Sequence, residues 1–256
     1  MKVTVCQFPD DLQLIEPTWQ RLITHVKEMG SELVVLGEMP FYPWPAGSDT
    51  YDDQVWEAAI QAQHAMESRF HELGDVVLAS SRPVVIEGVN RHEAFVWDKT
   101  SGIQAVHHKY YLPEEPDFWE ATWYGRGDKS FEPIQTRVGK IGFLMCTEMW
   151  FTEHARAYAT LGVQLLLCPR ATGLSSRDKW IAGARAAAVM SGAYCLSGNR
   201  GGHSQQDFSW AGTGWVIDPD AEVLALTDET SPFQTVDIHI SQADAAKATY
   251  PRYVAE

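Results

Sequence analysis

The thiol of Cys146 is the first group in this sequence whose setting suggests chemistry. The apolar run IGFLM, residues 141–145, ends at this cysteine, and a helical pattern soon follows. A free cysteine in such a run is more commonly a small buried hydrophobe. At a strand-to-helix turn, however, a thiol meets oriented N–H groups and the positive end of a helix dipole, which both favour the thiolate. The pattern therefore indicates a nucleophile at Cys146, whereas Cys6, Cys168 and Cys195 lie within strands typical of the core.

Two more polar side chains stand where apolar strands end, which is where α/β folds usually place their chemistry. Glu38 follows LVVLG and precedes the aromatic stretch MPFYPWP, so a partly desolvated carboxylate there can act as general base and then as acid. Lys109 follows AVHH and can supply a cation to a developing oxyanion. A thiol, a carboxylate and a cation together suffice for acyl transfer from nitrogen. The ordinary alternatives are a solvated strand end for Glu38 and a surface position for Lys109.

The histidines beside Lys109 leave a second arrangement open. His107 and His108 precede the lysine directly, and the sequence does not exclude a Cys–His pair. Side chains alternate along a strand, so the two rings should point to opposite faces. The Cys–His pair is the weaker hypothesis because neither histidine has a visible orienting partner.

The elements that must position these side chains alternate between strands and helices. Apolar runs predict strands at KVTVCQF, SELVVLGEMPF, DVVLASSRPVVI, EAFVWD, GIQAVHHKYYL, residues 140–145, VQLLLCP, AYCLSGN and both arms of TGWVIDPDAEVLAL. Helical spacing predicts helices over residues 17–29, 53–73, about 150–161 and about 178–191, with Gly30 and Gly74 as stop signals. A long aromatic loop runs from Pro113 to Lys129, which is typical of a functional segment. No linker or repeat interrupts this order, so we expect one α/β domain over residues 1–256 with mixed sheet pairing.

The composition excludes several classes of protein. The chain has 256 residues, 45% of them hydrophobic, which is enough to bury a sizeable core. A formal charge of −14 and the lack of a basic stripe argue against nucleic acid as a partner. No apolar run approaches the ~20 residues that span a bilayer, and the N-terminal MKVTVCQFPDD lacks the apolar region of a signal peptide. We therefore expect a cytoplasmic protein with reduced cysteines and no membrane partner.

Three separated blocks of the chain resemble those of the carbon–nitrogen hydrolase (nitrilase) superfamily, whose hallmark is a Glu–Lys–Cys triad in this order. LVVLGEMPFYPW resembles the glutamate block, HHKYYLPEEPDFWEATWYGRGD the lysine block, and GFLMCTEMWFTEHAR the cysteine block. The resemblance places the general base at Glu38, the cation at Lys109 and the nucleophile at Cys146. It further implies a four-layer α-β-β-α sandwich of the nitrilase type, a homodimer or larger homo-oligomer, and neither a metal nor an organic cofactor.

The resemblance also implies a second, auxiliary glutamate shortly before an aromatic patch and a Gly-Asp pair. The segment WEATWYGRGD matches that pattern best and assigns the role to Glu120, with Glu114 and Glu115 as alternatives closer to Lys109. The chain departs from many amidases of this group at Thr147, directly after the cysteine, and at Thr152, where proline is usual. Because position 147 borders the pocket, this departure leaves the substrate subclass open.

The activity implied by the resemblance is thiol-dependent hydrolysis of a non-peptide C–N bond in a small amide or carbamoyl compound, with ammonia released through a cysteine thioester. A nitrilase acting on a small organic nitrile and a non-catalytic, metabolite-binding member of the fold are the alternatives. Thr147 is expected to give its backbone N–H to the oxyanion. Tyr42, Trp119 and Trp150 are expected to wall the substrate pocket. Arg170, which ends another strand, is expected either to bind a substrate carboxylate or to form a surface ion pair.

Overall fold

The computed structural model describes residues 1–204 and 207–254, and these residues form two β-sheets with helices on their outer faces. The strands of the first sheet are β1 (Lys2–Pro9), β2 (Leu33–Val35), β3 (Val77–Ile86), β4 (Val89–Asp98), β5 (Gly102–His108), β10 (Asn199–Gly201) and β13 (Phe233–Asp237). Their order is β10-β1-β2-β3-β4-β5, and β13 also pairs with β1. The β1–β2–β3 pairs are parallel, whereas β3–β4–β5 is antiparallel.

The second sheet is built in the same mixed way from the later part of the chain. Its strands are β6 (Ile134–Thr136), β7 (Gly139–Phe143), β8 (Leu165–Leu167), β9 (Tyr194–Ser197), β11 (Trp215–Ile217) and β12 (Val223–Leu226). They follow the order β12-β11-β9-β8-β7-β6, with parallel pairing from β7 to β9 and antiparallel pairing at both edges. The mixed pairing expected from the sequence is confirmed.

The described residues form six α-helices, of which the four longest cover the outer faces of the two sheets. They are α1 (Leu12–Met29), α2 (Asp53–Glu67), α3 (Glu120–Trp123), α4 (Thr152–Thr160), α5 (Arg177–Ser191) and α6 (Ile240–Ala246). The main contacts of α1 and α2 are with β1 and β3 of the first sheet, whereas α4 and α5 pack on each other and α5 on β9 and β11 of the second. The layers are therefore α-β-β-α, as the resemblance implied.

Alternation of side chains explains why the strands read as nearly continuous apolar runs. Val35 of β2 packs between the sheets with Phe143 of β7, whereas its neighbour Val34 packs outward against α1. In the second sheet Leu167 faces the first sheet, and Leu166 faces α4 and α5. Because both faces of each sheet are covered, both sets of alternating residues are apolar.

Helix boundaries differ from the sequence-based expectation in three places. The first helix begins at Leu12 rather than at residue 17, because the Asp11 side chain accepts the N–H of Gln13 and caps the helix, while Pro17 is tolerated inside it. The expected helix 53–73 divides into α2 and a short 3₁₀ helix, Phe70–Leu73. The expected helix from about residue 150 is a 3₁₀ helix, Cys146–Trp150, followed by α4.

Among the described residues, none of the helices combines the length and the apolar character needed to cross a membrane.

Candidate active site

Glu38 lies just beyond the end of β2 and is completely buried. One oxygen of its carboxylate, Oε1, accepts a hydrogen bond from Lys109 Nζ at 2.7 Å. The other, Oε2, accepts the backbone N–H of Ala171 at 2.7 Å. A cation and an amide therefore hold the carboxylate in one orientation, and the alternative of a solvated strand end is wrong.

Lys109 follows β5 and is also completely buried, so a surface position is excluded for it. Its Nζ contacts two carboxylates, Glu38 Oε1 at 2.7 Å and Glu120 Oε1 at 2.8 Å. Burial disfavours the ammonium, but the charges of Glu120 and Glu38 outweigh burial and raise the pKa of Lys109 well above its ordinary value. The lysine therefore remains a cation in the protein interior.

The auxiliary carboxylate that reaches Lys109 is Glu120, the first residue of α3, which is buried. Burial raises the pKa of Glu120 to about 7. The charge of Lys109 opposes this shift, and the nearby Glu38 carboxylate adds to it. Glu114 instead accepts hydrogen bonds from Thr122 at the surface. Glu115 is exposed. Geometry thus favours Glu120 over both alternatives.

Cys146 is the first residue of the short 3₁₀ helix, and it is 3% exposed. Its backbone has φ of 47°, in the left-handed region that non-glycine residues rarely adopt. Burial, and then the charge of Glu38, raise the pKa of the thiol well above its ordinary value despite the opposing charge of Lys109. The expectation that the strand-to-helix turn favours a thiolate is therefore wrong. The resting group is a neutral thiol, and a base must remove its proton before or during attack.

A segment of three residues after β8, Pro169 to Ala171, joins the base to the nucleophile. The carbonyl of Pro169 accepts the N–H of Cys146 at 3.0 Å, and the carbonyl of Arg170 accepts the N–H of Glu38 at 3.1 Å. Ala171 gives its N–H to the Glu38 carboxylate, and its carbonyl lies 3.9 Å from Cys146 Sγ. This backbone therefore fixes Glu38 and Cys146, which come from different sheets, against each other.

Two glycines permit this close approach of strands. A Cβ at Gly37 would lie 2.9 Å from the carbonyl oxygen of Arg170. A Cβ at Gly198 would lie 2.4 Å from the carbonyl carbon of Leu36. Both contacts are too short for any side chain, so the glycines next to Glu38 and in the SGN segment are required by packing around the base.

A cavity of about 160 Å³ opens at the thiol. Cys146 and Glu120 both line it, and so does Thr147, as expected from the sequence. The other lining residues are Pro113, Glu115, Phe118, Ala171, Thr172, Gly173, Ser176 and Trp180. Thr147 also lies in the first turn of the 3₁₀ helix, where backbone N–H groups lack acceptors within the helix. The volume suits a compact group with few heavy atoms beside the sulfur.

The aromatic residues expected to wall the pocket are not brought together there. Tyr42 lines another cavity, of about 420 Å³. Trp119 precedes α3 and gives its backbone N–H to the carbonyl of Ala46 at 2.8 Å. Trp150 is 45% exposed and packs on Trp180 with ring centroids 5.0 Å apart. Trp119 and Trp150 thus lie outside the lining of the Cys146 cavity, and the wall is formed by Phe118 and Trp180 instead.

Arg170 requires a correction, because it neither faces the substrate cavity nor forms a surface ion pair. Its side chain is buried, and its guanidinium donates to Ser197 Oγ and Thr172 Oγ1, each at 2.8 Å, and to the carbonyl of Thr213 at 2.6 Å. The guanidinium also stacks 3.7 Å from the ring centre of Trp215. Burial lowers the pKa of Arg170 to about 10. Its donors are therefore used to hold the segment that carries Ala171.

The histidines do not contact the nucleophile through the hydrogen bonds of their rings. His107 bonds to Glu148 at 2.9 Å, and His108 to Glu93 at 2.9 Å. The two rings point in different directions, as strand alternation predicts. The sequence analysis missed Glu148, which is completely buried. The signal available was a charged residue within the otherwise apolar and aromatic MCTEMWF stretch.

Comparison with known proteins identifies the family of the chain. The model of the carbon-nitrogen hydrolase family matches residues 2–248. The N-carbamoylputrescine amidase of Arabidopsis thaliana is 24% identical over 239 residues, covering 87% of this chain and 80% of the relative. The omega-amidase NIT2 of Mus musculus is 25% identical, with 85% and 80% covered.

Solved structures show the same fold. A carbon-nitrogen hydrolase from Helicobacter pylori G27 superposes with a TM-score of 0.87 at 23% identity, covering 98% of this chain and 94% of that one. An amidase from Nesterenkonia sp. gives a TM-score of 0.79 at 21% identity, covering 95% and 92%. The chain belongs to the carbon–nitrogen hydrolase family and is a hydrolase of C–N bonds other than peptide bonds.

Proposed function

We propose that the protein is an amidase or N-carbamoyl amidohydrolase that releases ammonia from a small molecule through a thioester on Cys146. The observation that carries this proposal is the buried ammonium of Lys109 between Glu38 and Glu120, since Glu120 lines the same cavity as the thiol of Cys146. This set supplies a base, a cation and a nucleophile, and the cavity of about 160 Å³ at the thiol suits a compact acyl group. The names of the amidase relatives support an amide or carbamoyl substrate over a nitrile.

In the first step Glu38 takes the proton of the Cys146 thiol as sulfur attacks the carbonyl carbon. Because the resting thiol is neutral, Glu38 must remove its proton before or during the attack. Lys109 and the backbone N–H of Thr147 stabilise the oxyanion, and each such donor is worth roughly 3 kcal/mol of barrier. The C–N bond then breaks, and protonated Glu38 gives its proton to the departing ammonia.

In the second step Glu38 removes a proton from water, whose oxygen attacks the thioester carbon. The C–S bond breaks, and the sulfur takes back a proton to regenerate the thiol. An amide substrate leaves as a carboxylic acid, whereas an N-carbamoyl substrate leaves as a carbamate that decomposes to an amine and carbon dioxide. Glu120 holds Lys109 in place throughout, since it is the second carboxylate on that ammonium.

Ammonia release from three groups of compounds tests the proposal: N-carbamoyl alkylamines and N-carbamoyl amino acids, ω-amides of dicarboxylic acids, and small nitriles. The wild type should release ammonia from one of the first two groups, and Cys146→Ala should reduce the rate to background, because the triad acts as a unit. A preference for nitriles would instead identify a nitrilase. Release from Cys146→Ala at the wild-type rate would exclude the thiol mechanism. A folded wild type that binds compounds in the panel without ammonia release would favour a metabolite-binding protein.

We also propose that the chain forms a homodimer or a larger homo-oligomer. The exposed side chains of Trp150 and Leu174, 45% and 53% accessible beside α5, support an interface on this face. Light scattering on the purified protein should give a mass of at least twice 28.7 kDa. A monomeric mass at micromolar concentration would contradict it.

A further inference from the structure

The carboxylate of Glu148 connects the two parts of the chain that carry Lys109 and Cys146. Its Oε1 accepts the backbone N–H of Tyr110, the residue after the lysine, at 2.8 Å. Its Oε2 accepts the backbone N–H of Met145, the residue before the cysteine, at 2.9 Å. One rigid, planar group therefore fixes both backbones at the ends of strands from different sheets.

The same carboxylate receives a third partner, His107. The Nε2 atom of the ring lies 2.9 Å from each oxygen of Glu148, and Nδ1 lies 2.7 Å from the carbonyl of Ser130. A carbonyl only accepts, and both carboxylate oxygens already accept backbone N–H groups. Both ring nitrogens must therefore donate, which requires an imidazolium.

The electrostatics agree with this assignment. Burial opposes the charged ring, but the Glu148 carboxylate outweighs burial and raises the pKa of His107. The result is a buried imidazolium–carboxylate pair in which every donor is matched by an acceptor. Such a pair is costly to disturb, since removal of one partner leaves the other unpaired in the interior.

We propose that Glu148, paired with His107, is the positioning residue that fixes Lys109 relative to Cys146 for thioester formation. This inference rests on the proposed function and adds a residue outside the triad. Glu148 acts through the backbones of Tyr110 and Met145, not by contact with the substrate.

Glutamine at position 148 tests the proposal because it preserves shape while replacing one acceptor oxygen with a donor. The N–H of either Tyr110 or Met145 then faces an NH₂ group, so one of the two backbones must move. A displacement of about 1 Å at a reacting group costs about a hundredfold in rate. We expect Glu148→Gln to lower kcat by about this factor, with KM changed by no more than about twofold.

The matched control is Glu93→Gln. Glu93 is also a buried carboxylate, and it pairs with His108, the neighbour of His107, at 2.9 Å and with Arg82. Its hydrogen bonds go to side chains on β3 and β5, whereas the backbone N–H groups of Tyr110 and Met145 donate to Glu148. Glu93→Gln should lower stability and leave kcat within about twofold of the wild type.

Alkylation of Cys146 by iodoacetamide separates this inference from the proposed function. In that reaction the sulfur displaces iodide while Glu38, which Lys109 orients through its hydrogen bond to Oε1, takes the thiol proton. The alkylation rate therefore depends on the positions of both Lys109 and Cys146, and no hydrolysable substrate is needed. Intact-mass analysis with peptide mapping, well below the unfolding midpoint, should show alkylation about a hundredfold slower in Glu148→Gln and unchanged in Glu93→Gln.

The outcomes are distinct. Folded Glu148→Gln that is alkylated at the wild-type rate overturns the positioning role, even if ammonia release confirms the amidase. Slow alkylation in Glu148→Gln alone supports the role, even if no compound of the panel yields ammonia. If Glu148→Gln does not fold, Glu148→Asp decides, since it keeps the charge but is one methylene too short for both backbones. Slow alkylation of the aspartate variant supports the proposal, and a wild-type rate overturns it.

Discussion

Replacing Glu120 with glutamine should change the way in which stability depends on pH. Glu120 is buried beside Lys109, and its pKa is raised from 4.5 to about 7. A carboxyl whose pKa is raised on folding contributes stability that is present at low pH and lost as pH rises through the folded value. The glutamine variant keeps an acceptor oxygen for Lys109 and lacks this titration.

The size of the effect follows from the two pKa values. The change from 4.5 to about 7 corresponds to roughly 3 kcal/mol in full. Roughly 2 kcal/mol of this stability is lost as the pH rises from about 5.5 to about 8.5. The free energy of unfolding of the wild type minus that of Glu120→Gln should therefore fall by about that amount across this range, most steeply near pH 6, and should level off above about pH 7.

Urea unfolding of both proteins at closely spaced pH values measures this difference. Glu93→Gln is the control. Burial alone would raise the pKa of Glu93, but His108 and Arg82 lower it below its ordinary value, so this carboxyl titrates below the pH range of the measurement. The free energy of unfolding of the wild type minus that of Glu93→Gln should stay constant from about pH 5.5 to about pH 8.5. A flat or rising difference for Glu120→Gln would refute the reasoning that burial dominates at this carboxyl.

Two further substitutions test the frame around the site. Gly198→Ala places a Cβ 2.4 Å from the carbonyl carbon of Leu36, so overpacking should lower the free energy of unfolding by about 1–3 kcal/mol. Chemical denaturation measures this loss, and an unchanged denaturation midpoint would contradict the close contact. Arg170→Met removes donors from Ser197, Thr172 and Thr213 and should cost about 3 kcal/mol while leaving the preference between carboxylated and neutral substrates unchanged. A selective loss of carboxylated substrates would show that Arg170 binds them after all.

Local pattern predicted the alternating strands and helices and pointed to the three central groups, whereas the four layers were implied by the family resemblance. Alternating apolar residues reveal a strand, and the first polar residue beyond it marks the sheet edge, which located Glu38, Lys109 and Cys146. The burial of Arg170 was not predictable in this way. Its acceptors on Ser197 and Thr213 lie 27 and 43 residues away, and only the folded sheet order brings them together.

The pair of His107 and Glu148 was missed for a related reason. The two residues are 41 positions apart; His107 lies on β5 of the first sheet, and Glu148 lies in the 3₁₀ helix that follows β7 of the second. In the sequence each is an ordinary polar residue two positions from a candidate catalytic residue, His107 from Lys109 and Glu148 from Cys146. The direction of the thiol pKa also depends on burial, which a strand-to-helix pattern does not specify.

The strand order of the first sheet has a consequence for synthesis on the ribosome. Glu38 and Lys109 emerge early, but β1 of their sheet pairs with β10 and with β13, Phe233–Asp237, near the other end of the chain. Ala171, which binds the Glu38 carboxylate, and Cys146 emerge between these times. A nascent chain therefore carries two carboxylates and an ammonium with no completed sheet to enclose them until its last strand is made. Enzyme activity should appear only after that strand leaves the exit tunnel, and not in proportion to the length already translated.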